Sequence, residues 1–152
     1  MRGAVFHLAA LAAILTTTPI MAKEPEMHHA KGEFEVKLAK VSADDEPLMR
    51  MSIGKQFSGD LVADSTGQMM AGGNEASGAR VYVALETVTG KLDGKSGSFI
   101  LAHRGTMTKD AQDLSVIVVP DSGTGELTGI DGTLDIQITG GKHYYTFDYT
   151  LP

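Results

Sequence analysis

The sequence predicts an all-β chain whose strands close into a single antiparallel eight-stranded barrel. Three observations carry this. Eight segments rich in alternating apolar and polar or β-branched residues recur from Glu33 to the C-terminus, bounded by clusters of Gly, Pro, Asn, Asp and Ser. Their connections are short and include hairpin signals at Asp93-Gly94 and Gly140-Gly141. After residue 22, no stretch of useful length repeats apolar residues at helical spacing, so no helix is on hand to cover a sheet. A two-sheet sandwich is the alternative that the same strands allow.

Residues 1–22 stand apart from this pattern. Arg2 gives a positive start, an apolar run extends from Ala4 to Leu15, and Thr16 to Ala22 is polar, contains Pro19 and ends on a small residue. That is the pattern of a secretory signal peptide cut after Ala22, which predicts a secreted or periplasmic protein. The apolar run is too short to span roughly 30 Å of bilayer, so no membrane association is expected after cleavage. Lys23 to Lys31 is polar, carries Pro25 and His28-His29, and reads as a flexible tether. The barrel domain is then 32–152.

The strands follow in order. Phe34, Val36 and Leu38 alternate with Glu33, Glu35 and Lys37 in a half-buried strand that ends at the acidic turn Asp44-Asp45-Glu46-Pro47. That turn lacks the Asp/Asn-Gly spacing of a calcium loop. Met49, Met51, Ile53, Lys55 and Phe57 share one parity in the second strand. Lys55 therefore points into the barrel, unless a one-residue bulge near Gly54 turns it outward. After Ser58-Gly59-Asp60, a third, weaker strand runs through Leu61, Ala63, Ser65 and Gly67.

The hairpin from Ala79 to Thr106 is the centre of the chain. A two-residue turn at Asp93-Gly94 sets Val88 against Phe99, Glu86 against Leu101, Ala84 against His103 and Tyr82 against Gly105. One face then carries Tyr82, Ala84, Glu86, Val88, Phe99, Leu101 and His103, so a carboxylate and an imidazole meet diagonally among apolar groups. The next strand, Leu114 to Val119, is apolar on both faces. A barrel interior covers only one of them, and the outer face calls for another subunit or layer. The segment Gly123 to Gly132 is glycine-rich but precedes a strand, not a helix, so it is no phosphate loop. Its glycines let a strand coil tightly. The last hairpin, turning at Gly140-Gly141, pairs Ile138 with His143, Ile136 with Tyr145 and Leu134 with Phe147, and these six share a face with Tyr149.

Composition excludes several functions. There is no cysteine, which removes disulfides, thiolate metal sites, lipoprotein attachment and a cysteine nucleophile. The net charge is −6, or −7 without the leader and its single Arg2, and no Lys/Arg cluster occurs, so nucleic acid is not an expected partner. His103 and His143 have no partners at metal-ligand spacing, and no Gly-x-Ser-x-Gly elbow accompanies Ser122. No metal and no cofactor is predicted.

From Gly123 to Gly132 the run GTGELTGIDG resembles the glycine motif of the allene oxide cyclase and dirigent barrels. More broadly, the chain from Met27 to Pro152 resembles a family of small bacterial domains of unknown function placed with that superfamily. The matching stretches are MHHAKGEFEVKL, MSIGKQFSGDL, YVALETVTGKLDGKSGSF, LSVIVVPDSGTGELTG and GKHYYTFDYTLP. The resemblance implies a short closed antiparallel barrel and, by analogy, a homo-oligomer, with a trimer as the model. It transfers no catalytic residue.

Three functions stay open on the sequence, and with them the question whether this is an enzyme. The first is binding of a small, mostly apolar ligand inside the barrel, with Tyr82, Phe99, Tyr145, Phe147 and Tyr149 as walls and Glu86 and His103 as polar fixing points. The second is a cyclase or isomerase that moves protons through Glu86 and His103. The third is a structural or subunit-interaction module using the outer stripe of Val83, Leu85, Ile100, Ala102, Ile117 and Val119. Against all three stands plain core packing by the same aromatics and by a buried Glu-His contact.

Overall fold

The computed structural model describes residues 24–44 and 46–152. The expected leader, 1–22, lies outside the described residues. Eight strands follow one another: β1 Met27–Lys40, β2 Met49–Gly59, β3 Leu61–Asn74, β4 Ala79–Leu92, β5 Lys95–Met107, β6 Gln112–Val118, β7 Asp131–Thr139 and β8 Lys142–Thr150. Each pairs antiparallel with the next, and β8 returns to β1, so the sheet closes into a barrel in simple up-and-down order. The sandwich alternative is thereby excluded.

Turn chemistry fixes the registers. Asp93 and Gly94 both have positive φ, 49° and 82°, as a type I′ hairpin turn requires, and Gly140 and Gly141 repeat the geometry at 60° and 79°. The pairs Val88↔Phe99, Glu86↔Leu101, Ala84↔His103, Leu134↔Phe147 and Ile136↔Tyr145 follow as predicted.

Two expectations are corrected. The tether predicted for 23–31 gives way to strand at Met27, because the free edge of β8 takes it as partner from Met27↔Thr150 to Phe34↔His143, and Ala30 is buried in the interior. The segment from Gly123 to Gly132 does not coil as part of a strand. It contains one turn of 3-10 helix, Gly125–Leu127, before β7 begins at Asp131. Leu127 and Ile130 are each 1 % exposed, so this segment stoppers one end of the barrel.

That stopper divides the interior into unlike halves. At the closed end Leu61, Leu92, Phe99 and Phe147 pack with Leu127 and Ile130 in one apolar cluster. Toward the other end the inward parity continues through Leu38, Met49, Met107, Leu114 and Ile138, yet these residues are 37 to 67 % exposed. The wall also loosens there, since β6 and β7 share the single registered pair Ile117↔Thr133. The barrel is a cup with a filled base and an open apolar mouth.

Candidate functional site

At mid-height four neighbouring strands each send one polar side chain inward. Lys55 comes from β2, Ser65 from β3, Glu86 from β4 and His103 from β5, and all four are buried. The β2–β3 ladder runs unbroken through Gly54↔Thr66, Lys55↔Ser65 and Gln56↔Asp64, so no bulge diverts Lys55 outward. Glu86, fully buried, is the hub. Its Oε2 accepts a hydrogen bond from Lys55 Nζ at 2.7 Å, and its Oε1 accepts one from Ser65 Oγ. His103 Nε2 lies 3.1 Å from Oε2 but off the line of a hydrogen bond, so it is a close polar contact and the nitrogen has no aligned partner. Lys55 Nζ also sits 4.9 Å from the centre of the Phe34 ring and 5.6 Å from that of Phe57, within cation–π range.

Burial by itself would push the Glu86 carboxyl up. The neighbouring His103, the positive charge of Lys55 and the hydrogen bonds from Lys55 and Ser65 outweigh it and hold the pKa down, at about 2. Glu86 is therefore a carboxylate with a fixed counter-ion and both oxygens engaged.

The sequence-predicted site residues separate into three groups. Glu86 and His103 meet in the polar cluster. Phe99 stacks on Phe147 and Phe147 packs tilted against Tyr149 in the closed half, with ring centres 5.7 and 5.3 Å apart, and all three are buried in the core cluster. Tyr145 packs edge-on against Phe57, with ring centres 5.7 Å apart. Its hydroxyl accepts from Leu61 N–H at 2.9 Å and donates to the Ser58 carbonyl at 3.2 Å, so it closes the β2–β3 corner. The Tyr149 hydroxyl donates to Asp93 Oδ2 at 2.6 Å and ties β8 to the central turn. Burial and this carboxylate both raise the pKa of Tyr149.

Tyr82 lines a hollow. It stands half-buried on the inward face of β4 toward the mouth, its ring lying over Gly105, where a Cβ would come 2.1 Å from a ring carbon. Around it a pocket of about 500 Å³ is lined by Met49, Met69 and Met107 and by the β1–β2 and β3–β4 loops. At the rim Arg50 donates from Nε and Nη2 to the two oxygens of Glu46, 2.9 Å each. A second hollow of about 650 Å³ lies where the β7–β8 hairpin meets β1 and β2, between Phe34, Val36, Phe57 and His143, flanked by the charged Glu33, Glu35 and Lys142. Neither hollow reaches Glu86, His103 or Lys55.

Ser65 and the methionine mouth are what the sequence reading passed over as site features. Ser65 shares parity with Leu61 and Ala63, and Met49, Met51 and Met69 share inward parity, so the signal was present in the alternation. Among the described residues no group of three or more His, Asp or Glu is placed to hold a metal. No helix of the described residues is long and apolar enough to cross a membrane.

No functionally curated protein matches the chain. Among solved structures it is similar to the crystal structure of a protein of unknown function from the DUF3224 family of Shewanella oneidensis MR-1. The two are 42 % identical with a TM-score of 0.77, over 84 % of this chain and 99 % of that one. A family model described as protein of unknown function, DUF3224, matches residues 30–149, a span that takes in almost the whole barrel from early β1 to the end of β8. By sequence and by fold alike, the chain belongs to the DUF3224 family.

Proposed function

We propose that this barrel is exported and binds a small, mostly apolar molecule in its open mouth, over Tyr82, Met49, Met69 and Met107. The observation that carries the reading is the exposure of the inward face at that end alone: apolar residues on the correct parity for a core are left without one. Methionines suit such a lining, since their unbranched side chains adapt to irregular ligands. The pocket, about 500 Å³, is of the size that takes one small molecule. Export rests on the leader pattern of residues 1–22. Together, the glycine motif and the closed wall support placing the domain with the allene oxide cyclase and dirigent barrels, whose likeness here is one of architecture.

The cyclase alternative draws no support from this arrangement. Glu86 is fully buried, is compensated by Lys55 and is absent from the lining of both hollows, so it is not placed to exchange a proton with a molecule held in either. The polar cluster reads instead as an ion network that fixes how β2 to β5 face one another.

The test is a fluorescence titration with Nile red, a neutral apolar dye. Wild type should bind it, Met69→Glu should weaken binding at least about tenfold by placing an unpaired charge in the lining, and Leu85→Lys on the outer face should leave it unchanged. Loss in Leu85→Lys with retention in Met69→Glu would move the dye to the outer wall and defeat the proposal.

A further inference from the structure

The inward face at the mouth is rich in sulfur. Met49, Met51, Met69 and Met107 all lie on the inward parity of their strands, and Met51 pairs directly with Met69 across the β2–β3 ladder. Met49, Met69 and Met107 line the hollow over which Tyr82 stands. Met49 and Met107 are 37 and 40 % exposed, so small solutes in the mouth reach these side chains.

The core is the opposite. The apolar cluster that fills the barrel is made of Phe, Leu, Ile, Val, Ala and Tyr, with no methionine in it. The other described methionines stand apart, Met27 paired with Thr150 where β1 begins and Met70 paired with Val83 on the outer wall. The sequence has no cysteine and no tryptophan, so its thioethers are the groups that a two-electron oxidant attacks first.

We infer that the mouth is a site of methionine oxidation, at which a peroxide switches ligand binding off; the inference rests on the mouth being where the ligand binds. A lone pair of a thioether sulfur attacks one oxygen of hydrogen peroxide, and the O–O bond breaks as the S–O bond forms. A proton passes from that oxygen to the departing hydroxide, leaving sulfoxide and water. Sulfur gives up two electrons and the peroxide takes them. The product is a polar acceptor where an apolar wall stood, and an apolar ligand offers it no hydrogen bond. Because the core holds no thioether, the same treatment leaves the barrel folded.

Nile red titration before and after hydrogen peroxide tests this, with the melting temperature and the mapped oxidation sites read in parallel. Treated wild type should gain roughly 16 Da per modified methionine, with Met49 and Met107 among those modified. Its dye affinity should fall at least about tenfold while its melting temperature stays within a few degrees of the untreated protein. The fourfold variant Met49→Leu/Met51→Leu/Met69→Leu/Met107→Leu keeps an apolar lining of similar volume and should hold the dye equally well before and after peroxide. Met27→Leu/Met70→Leu, which leaves the mouth untouched, should lose the dye on oxidation as wild type does. Treated wild type that binds as before, loss of dye that comes with unfolding, or loss from the treated fourfold variant would overturn the inference. Untreated wild type that takes up no dye would instead defeat the ligand reading, and this inference with it.

Discussion

Replacing Glu86 by Gln keeps the shape of the hub and removes its charge. Lys55, 9 % exposed, would then carry its ammonium inside the barrel with no counter-ion. Orphaning one member of a buried ion pair costs roughly 3 to 5 kcal/mol. Lys55→Met orphans the carboxylate instead. Protonating a carboxyl of ordinary pKa about 4.3 at pH 7 caps that loss at about 4 kcal/mol. Making both changes leaves a neutral amide beside Ser65 and His103 and a thioether against Phe34 and Phe57. Such a double replacement should lie within about 1 kcal/mol of wild type. Urea unfolding of the four proteins at pH 7 gives the cycle, with equal m-values as the check that one transition is being compared. The expected coupling energy is about 3 kcal/mol or more. A coupling below about 1 kcal/mol would refute the reasoning, since the two charges would then not be compensating each other in the folded barrel.

Three further outcomes follow from the same structure. Because the pKa of Glu86 is held down to about 2, its contribution to stability is fully present above the ordinary carboxyl range and is lost as pH falls from about 4.5 toward 2. Unfolding free energies from urea titrations across that range should therefore fall further in wild type than in the Lys55→Met/Glu86→Gln protein, by about 3 kcal/mol in total. Gly32→Ala should destabilise by about 2 to 3 kcal/mol or prevent folding, because the new Cβ would stand 1.9 Å from the Ser58 carbonyl and 2.6 Å from the Tyr145 hydroxyl that donates to it; a thermal melt equal to wild type would mean that β1 and β2 are farther apart than described. For export, mass spectrometry of protein from the native host should find an N-terminus near Lys23, and intact chains starting at Met1 or Met27 would count against the leader.

The barrel was legible because two of its hairpins declare their own register. Asp93-Gly94 and Gly140-Gly141 fit only a narrow set of turns, and once those are placed, alternation decides the face of every residue in four strands. What alternation does not carry is depth. Leu38 and Ile138 have the parity and character of core residues, and only the closed barrel shows that they stand at an open rim.

The polar cluster was half legible for a related reason. Glu86 and His103 share one hairpin, so their meeting could be read from a single turn. Lys55 and Ser65 reach Glu86 through the β2–β3 and β3–β4 registers, which depend on the bend at Gly59-Asp60 and the loop from Glu75 to Gly78, neither of which dictates a pairing. Without Lys55, Glu86 looked like a carboxyl with its charge disfavoured, poised for proton transfer; with it, the same residue is a held carboxylate. The N-terminal extension of β1 left almost no trace, because in Met27 to Lys31 Ala30 is the one buried side chain and the rest of the reason for a strand lies in the unpaired edge of β8.

The measurement that bears most directly on the proposed function is native mass spectrometry of the purified protein after incubation with an organic extract of the host. Wild type should carry a discrete added mass of a few hundred daltons, released by solvent and identifiable as a small apolar molecule, and Met69→Glu should carry none. Protein that returns at its bare chain mass from every extract, with a folded barrel confirmed in parallel, would contradict a ligand in the mouth.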